Sequence, residues 1–260
     1  LASSLHFIPG GNASDITFDC GGTIINGPGG DGDGTYGIRI SETNVNIRNC
    51  TLEYFQYGLA TYVANNSVIE DSEMRFCNYG VFLNSDADNI TVRDNYIYNN
   101  SYIGIRSWAN GVLSPINIIN NTIQDNTYWD FYIYYNIGGS GCGYLNVINN
   151  TGSGNRPIYF ANSEVHIENA EYSQVTLCNA DGSTLNNITV RGSDDLLNNG
   201  LQSHTSDNIN ITNSNSSDNY LGVLVYLSTD VILENNTING NGNGATAWIT
   251  NREGTGVNLE

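Results

Sequence analysis

One short phrase of apolar and polar positions recurs along the chain. It is apolar, any, apolar, any, then Asn or Asp, often with a further apolar residue three positions on. It reads Val45-x-Ile47-x-Asn49-x-x-Leu52, Ile90-x-Val92-x-Asp94-x-x-Ile97 and Ile116-x-Ile118-x-Asn120-x-x-Ile123. It returns around Leu145/Val147/Asn149, Val165/Ile167/Asn169, Ile209/Ile211/Asn213 and Val231/Leu233/Asn235/Ile238. Weaker copies sit at Ile69/Asp71/Met74 and Ile188/Val190/Gly192, and Ile16/Phe18/Cys20 opens the series. A second phrase, Gly then an apolar residue, trails the first by about nine residues, as in Gly58-Leu59, Gly80-Val81, Gly104-Ile105, Gly200-Leu201 and Gly222-Val223.

Alternation with period two predicts strands, not helices. Two or three short strands every ~22 residues, joined by Gly and Asn turns, make one coil of a solenoid. A single coil cannot bury its inner face, whereas stacked coils can. The pattern predicts an all-β, right-handed parallel β-helix of about ten coils, one domain over residues 1–260, with residues 1–14 as a capping or exchanged strand. A leucine-rich repeat would need helical or Leu-dominated segments, which the chain lacks.

Runs such as NITVRDNYIYNNSYIGI (89–105) and DVILENNTINGNGNG (230–244) resemble the parallel β-helix repeat family. That family includes NosD-like and pectate-lyase-like carbohydrate-active domains and many archaeal and bacterial surface proteins. The resemblance covers nearly the whole chain. It implies the fold strongly and the function weakly, because the repeat consensus consists of packing and turn residues.

Stacking turns the sequence into columns. Val45, Ile47 and their equivalents point inward. Asn49, Asp71, Asp94, Asn120, Asn149, Asn169, Asn213 and Asn235 share a turn column, where Asn can hydrogen-bond turn backbone and its neighbours above and below. This column is expected to be a buried structural ladder. Beside it, Arg48, Glu70 and Arg93 line up as an outward ladder of alternating charge. The second sheet differs. If Leu59, Val81, Ile105, Phe131, Ile158, Val223 and Ala245 point in, then Phe82, Arg106, Tyr132, Tyr159 and Leu224 point out. Two positions further on, so do Tyr62, Trp108, Tyr134, Tyr226 and Trp248. An outward aromatic stripe marks a partner or ligand surface: a protein face, a stack for sugar rings, or a patch covered by the same chain. The two longest coils carry the segments SWANGVLSP (107–115) and YWDFYIYYNIGGSGCG (128–143), expected to protrude as loops.

Composition narrows the partners. Acidic residues number 26 against 8 basic, all Arg, for a net charge of −18. Nucleic acid and anionic membranes repel such a surface. No apolar run is long enough for a transmembrane helix. The 17 Tyr and 39% apolar content argue against disorder despite 29 Gly. The chain starts at Leu1 without a signal peptide and reads as a processed product or fragment. Five cysteines, Cys20, Cys50, Cys77, Cys142 and Cys178, leave at least one unpaired. Cys20 and Cys50 fall at nearly matching columns of neighbouring coils, either as a disulfide or as stacked thiols. Eleven N-x-S/T sequons occur. Asn12, Asn65, Asn89, Asn99, Asn187, Asn210 and Asn215 are the candidates for glycans at turns or outer faces, while Asn49, Asn120, Asn149 and Asn235 belong to the ladder.

Candidate chemistry is sparse. Asp31 and Asp33, in GGDGDGTYG (29–37), look like a fragment of a calcium loop, but no bidentate acid follows at the required spacing. Asp86/Asp88 and Asp194/Asp195 are weaker options. Lyases of this fold use a basic residue beside calcium-binding acids, and Lys is absent. Hydrolases of this fold need clustered Asp acids about 5–10 Å apart, and Asp194-Asp195 is the only adjacent Asp pair. His6, His166 and His204 lie in unrelated coils. With a single Met, they make no copper site. No cofactor is expected beyond calcium. These features favour a non-enzymatic extracellular structural protein, a self-associating surface filament, surface-layer or adhesive module. The alternative is a domain that binds or cleaves polysaccharide.

Overall fold

The computed structural model describes residues 5–7, 15–29, 34–84, 86–108, 115–134, 141–242, 247–250 and 257–259. The described residues are built from short strands without an α-helix, and every strand-to-strand ladder is parallel. Leu1–Asn150 and Thr151–Glu260 form two compact units.

In the first unit each coil contributes one strand to each of three sheets. The phrase apolar-x-apolar forms Ile16–Asp19, Val45–Arg48, Val68–Glu70, Ile90–Arg93, Ile116–Ile119 and Leu145–Ile148, stacked in that order. A second sheet stacks Ile24–Asn26, Thr51–Glu53, Glu73–Arg75, Tyr96–Tyr98 and Thr122–Gln124. A third stacks Leu5–Phe7, Tyr36–Ile40, Tyr57–Thr61, Tyr79–Leu83, Ile103–Trp108 and Trp129–Tyr134. The segment Trp129–Tyr134, expected within a protruding loop, is therefore a strand of this last sheet. Residues 109–114 and 135–140 of the expected loops lie outside the described residues.

The corners explain why the repeat needs Asn and Asp. The backbone is left-handed at Asn44, Asn66 and Asn89, at Asn49, Asp71, Asp94, Asn120 and Asn149, and at Tyr54, Phe76, Asn99 and Asp125. Asn and Asp tolerate this region best among residues with a Cβ. Tyr54 and Phe76 are bulky exceptions, and their exposed rings stack on one another at 5.4 Å.

The left-handed residue turns the chain and directs its own side chain to solvent, so the next residue faces inward. Asn49, Asp71, Asp94, Asn120 and Asn149 are exposed, contrary to the expected buried ladder at these positions. The ladder lies one residue later. Cys50 N–H donates to Ser72 Oγ at 3.1 Å and Ser72 N–H to Asn95 Oδ1 at 3.0 Å. Asn95 N–H donates to Asn121 Oδ1 at 3.1 Å, and Asn121 N–H to Asn150 Oδ1 at 2.9 Å. Each amide also donates its Nδ2 into the interior, as Asn121 does to Val92 O at 2.9 Å. A second ladder runs Cys77, Asn100, Asn126 and ends on the buried carboxylate of Asp130. Asp130 follows a glycine column, Gly37, Gly58, Gly80 and Gly104, where the chain passes too close for a Cβ. A Cβ on Gly80 would meet Ile97 Cγ2 at 2.4 Å and Gly104 O at 2.7 Å. Ile, Val and Leu between the ladders fill the core (Ile38, Ile47, Leu59, Ile69, Val81, Ile105 and Ile118 are fully buried).

The second unit uses the same grammar. One sheet stacks Ile158–Ala161, Gln174–Cys178, Gly200–His204, Val223–Tyr226 and Ala247–Thr250. Another stacks His166–Glu168, Thr184–Asn186, Asn210–Thr212, Val231–Glu234 and Val257–Leu259. Its corners are left-handed at Asn169, Asn187, Asn213 and Asn235. Its ladders run Ala180, Ser206, Ser228 and Ile188, Ser214, Asn236.

Cys20 and Cys50 form a disulfide with Cα atoms 4.9 Å apart, tying neighbouring coils across 30 residues. A loop of that length stabilises by about 3–4 kcal/mol through the unfolded chain. Cys77 is a buried free thiol.

The one-residue offset of the ladder gives a direct test. Asn121→Ala strands buried donors and acceptors and is expected to destabilise by roughly 3 kcal/mol. Asn120→Ala loses only a preference for left-handed backbone, about 1 kcal/mol. Urea unfolding of the two variants checks the ranking; equal losses would put both side chains in the same environment.

Candidate functional site

The third sheet of the first unit carries an outward face unlike the others. Register sets its columns. Arg39 aligns with Ala60, Ala60 with Phe82, Phe82 with Arg106 and Arg106 with Tyr132. One column further along the strands, Trp108 aligns with Tyr134. Tyr36, Tyr57 and Tyr79 stack at the strand starts, with ring centroids 5.2 and 5.1 Å apart and nearly parallel planes. Tyr102 and Tyr128 continue this column at 5.2 and 4.7 Å with turned rings.

Phe82 faces outward but is only 5% exposed, because Tyr57, Tyr62, Tyr79 and Trp108 close around it. Trp108 and Tyr134 meet edge to face at 5.1 Å, and Tyr134 is 38% exposed. Tyr62 and Tyr36 share a hydroxyl hydrogen bond of 2.7 Å. Burial pushes the Tyr62 and Tyr79 phenols above the ordinary tyrosine range, so both keep their protons.

Two guanidinium groups sit among these rings. Arg39 lies 4.1 Å from the Tyr62 centroid and 5.5 Å from that of Tyr36. Arg106 lies 4.7 Å from Tyr134, 5.4 Å from Tyr79, 5.5 Å from Phe82 and 5.7 Å from Trp108. It donates to the Tyr79 hydroxyl at 3.2 Å. Among the described residues, Arg39 Nε, Arg106 Nε and Trp108 Nε1 are buried donors without a hydrogen-bond partner.

Tyr62, Phe82, Trp108, Tyr132 and Tyr134 of the expected stripe therefore belong to one face. Tyr159 and Tyr226 belong to the second unit. Tyr159 aligns with Val175 and packs against the core, so it does not join the outward column. Its neighbour Phe160 takes the outward register, aligned with Thr176 and through it with Gln202. Tyr226 tilts over His204 at 5.8 Å. Ala245 and the side chain of Trp248 lie outside the described residues. The Tyr36–Tyr57–Tyr79 stack was missed from the sequence. Its signal was a recurring Tyr-Gly dipeptide, in which Gly passed as a turn marker.

The other described arginines are occupied with carboxylates. Arg48 pairs with Asp19 at 2.9 Å instead of with Glu70. Arg93 takes Glu70 and Asp94. Arg75 joins Glu53, Glu73 and the Tyr98 hydroxyl. Arg156 joins Glu171 at 2.7 Å and Asp194 at 2.8 Å. Asp194 therefore serves an exposed ion network, and Arg156 holds its carboxyl below the usual carboxylate range.

Asp31, Asp33 and Asn12 lie outside the described residues. Among those described, no group of three or more His, Cys, Asp or Glu side chains is placed to hold a metal ion. Of the sequons, Asn89, Asn99, Asn187 and Asn215 are exposed, while Asn65 and Asn210 are half-buried. The Asn65 amide oxygen accepts the Asp88 N–H at 3.1 Å. Asn49, Asn120, Asn149 and Asn235 are exposed as well. No helix among the described residues is long and apolar enough to cross a membrane.

Stacked parallel coils with one aromatic and cationic outer face define a β-helix protein that carries its candidate site on a flat sheet. The sequence matches the family described as right-handed beta helix region over residues 6–151, more than half of the chain, and the chain belongs to that family. No curated protein matches it. Among solved structures it is similar to the A-module of a mannuronan C-5 epimerase from Azotobacter vinelandii (16% identity, TM-score 0.37, 84% of this chain and 72% of that one). It is also similar to pectate lyase Pel9A (13%, 0.40, 100% and 66%), and to DFA-IIIase from Arthrobacter chlorophenolicus A6 (9%, 0.39, 86% and 54%).

His204 is a buried titratable group of the second unit. It contacts Gln202 Oε1 at 2.9 Å through Nε2, and burial lowers its pKa from 6.5 to about 4. The unfolded chain takes up a proton there before the folded one does. Stability from this group is complete above pH 6.5 and is withdrawn as pH falls towards 4, by about 3 kcal/mol. His204→Gln is expected to flatten that part of the stability-against-pH curve, measured by urea unfolding from pH 7 to 4. An unchanged slope would mean that His204 titrates normally.

Proposed function

We propose that the outward face of the third sheet binds polysaccharide, and that the protein works outside the cytoplasm. The observation that carries the reading is a row of rings on successive coils with two guanidinium groups among them. A sugar ring offers an apolar C–H face and a rim of hydroxyls. The electron-rich face of Trp or Tyr suits the first, and the half-buried guanidinium groups of Arg39 and Arg106 suit the second. A core does not need rings on its outer side, and stacked outward aromatics on a rigid scaffold support a ligand surface. Coils spaced ~4.8 Å apart repeat the same side-chain geometry along the sheet, which fits a polymer of repeating units. The Cys20–Cys50 disulfide supports an oxidising compartment, and the exposed sequons are compatible with a secreted chain. The filament reading rests on the same aromatic stripe taken as a protein face, on the sparse catalytic chemistry and on the ends of the coils, residues 1–14 and 248–260, most of which lie outside the described residues. The aromatic face has a definite chemistry, and it carries the proposal.

Glycan binding is measured by affinity electrophoresis on a panel of soluble polysaccharides. Trp108→Ala and Tyr134→Ala are each expected to weaken binding about tenfold or more, tenfold being 1.4 kcal/mol. Ala at Ile119, half-buried on the neighbouring sheet, should leave it unchanged. A folded wild-type protein that binds none of the panel, or Trp108 and Tyr134 variants that bind as well as wild type, would overturn the reading.

A further inference from the structure

The glycan face also states what kind of glycan it takes. The geometry points to an anionic polysaccharide, bearing carboxylate or sulfate groups, lying along the rungs so that Arg39 and Arg106 each engage one acid group. This rests on the reading of the face as a glycan site.

The argument is one of charge placement. The chain has 26 acidic residues and 8 Arg, so an arginine without a carboxylate is the exception. Of the seven described arginines, Arg48, Arg75, Arg93, Arg156 and Arg191 all contact Asp or Glu. Arg39 and Arg106 contact none among the described residues, and both lie in one column of one face. The described strands from Tyr36 to Tyr134 on this sheet carry a single carboxylate, Asp130, and it is fully buried. Among the described residues, acid groups are thus kept off the one face whose guanidinium groups are unpaired.

The rings hold each guanidinium by its flat side. Stacking leaves the edge of the group, with its fork of N–H donors, free to bind an acid in two-pronged fashion. The Nε of both residues is buried beneath the rings, so the terminal nitrogens are the donors that meet the acid. A neutral sugar hydroxyl would satisfy one donor and leave the charge uncompensated.

The register adds a length requirement. Arg39 and Arg106 are separated by the rungs of Ala60 and Phe82, so they stand three rungs, ~14 Å, apart along the stack. One sugar cannot reach both, but an oligomer can. Once one arginine is engaged, the second contact becomes intramolecular and affinity rises with chain length. The net charge of −18 opposes a polyanion at long range. At 0.15 M salt that repulsion is screened beyond about 8 Å, while the contacts themselves persist.

The test is calorimetric titration of the whole chain at 0.15 M salt. The ligands are oligogalacturonates of increasing length, dextran sulfate, uncharged dextran and polyglutamate. The expected result is binding of one or both acidic glycans at least tenfold tighter than dextran or polyglutamate. The oligogalacturonate and dextran sulfate arms tell carboxylate from sulfate. Arg39→Gln and Arg106→Gln should each weaken binding at least tenfold, and Arg39→Gln should abolish the gain from longer oligomers. Arg106→Lys, which keeps the charge but loses the fork, should fall between. Thermal melts of each variant establish that it is folded. Dextran bound as tightly as the acidic glycans, with losses in Trp108→Ala but not in the arginine variants, overturns this inference and leaves the glycan reading standing. Equal binding of polyglutamate, or no binding of any polymer, overturns both.

Discussion

Every feature of this protein depends on rung-to-rung register. A parallel coil closes on itself only if the chain turns sharply at three corners. Here a left-handed residue makes each turn, at positions such as Asn44, Asn49 and Asn99. Because neighbouring coils turn at the same place, their strands pair without offset: Ile47 on Ile69, Ile69 on Val92, Val92 on Ile118. A slip of one residue would turn every core side chain to solvent. The inward amides after the corners resist such a slip, since each caps a main-chain N–H of the adjacent coil and is itself capped by the next. Asn is well suited to this, because one side chain both accepts from the coil on one side and donates to the coil on the other.

Register also manufactures the surface. A side chain outside the sheet has the same column neighbour on the next coil, so whatever the repeat places outward becomes a stripe. On one sheet the stripe is charged and self-neutralised, with Arg75 between Glu53 and Glu73. On another it is aromatic, with two arginines that the chain's own described carboxylates leave alone. The disulfide fastens the first coils at a corner, since Cys20 is the equivalent of Asn49 on the preceding coil and Cys50 follows that turn.

Much of the fold was legible because the repeat is periodic at both scales that matter. Alternation marks strands, and the ~22-residue recurrence marks coils. The inward sense of Ile47, Val92 and Leu59 followed from the pattern alone. What the pattern hid was the pleat across the corner. Asp94 and Asn95 are alike in size and polarity, as are Asn120 and Asn121, and only the positive φ of the first of each pair decides which faces inward. Tyr159 was placed outward by analogy with Tyr132, although a tight turn around Gly152–Arg156 precedes it and its strand sets Tyr159 beside the inward Val175. The aromatic stripe was legible as a list of residues. Its chemistry was not, because the state of Arg39 and Arg106 depends on which residues lie on the coils beside them.

That dependence bears on how such a face arises. A chain this acidic has carboxylates to spare for every arginine. Pairing them is what the other sheets do, at small gain where the pair is exposed. Holding a guanidinium between rings instead removes part of its water and returns only the attraction of the ring faces. The buried Nε of Arg39 and of Arg106 remains unmet, a disadvantage to the folded chain taken alone. A packing requirement does not explain the arrangement, because Ala60 occupies the same column and the coil closes equally well around it. The proposed anionic ligand supplies the acid partner that the described carboxylates do not. The same stacking that makes the face costly when empty keeps its donors aimed and spaced, so little ordering remains for a ligand to impose.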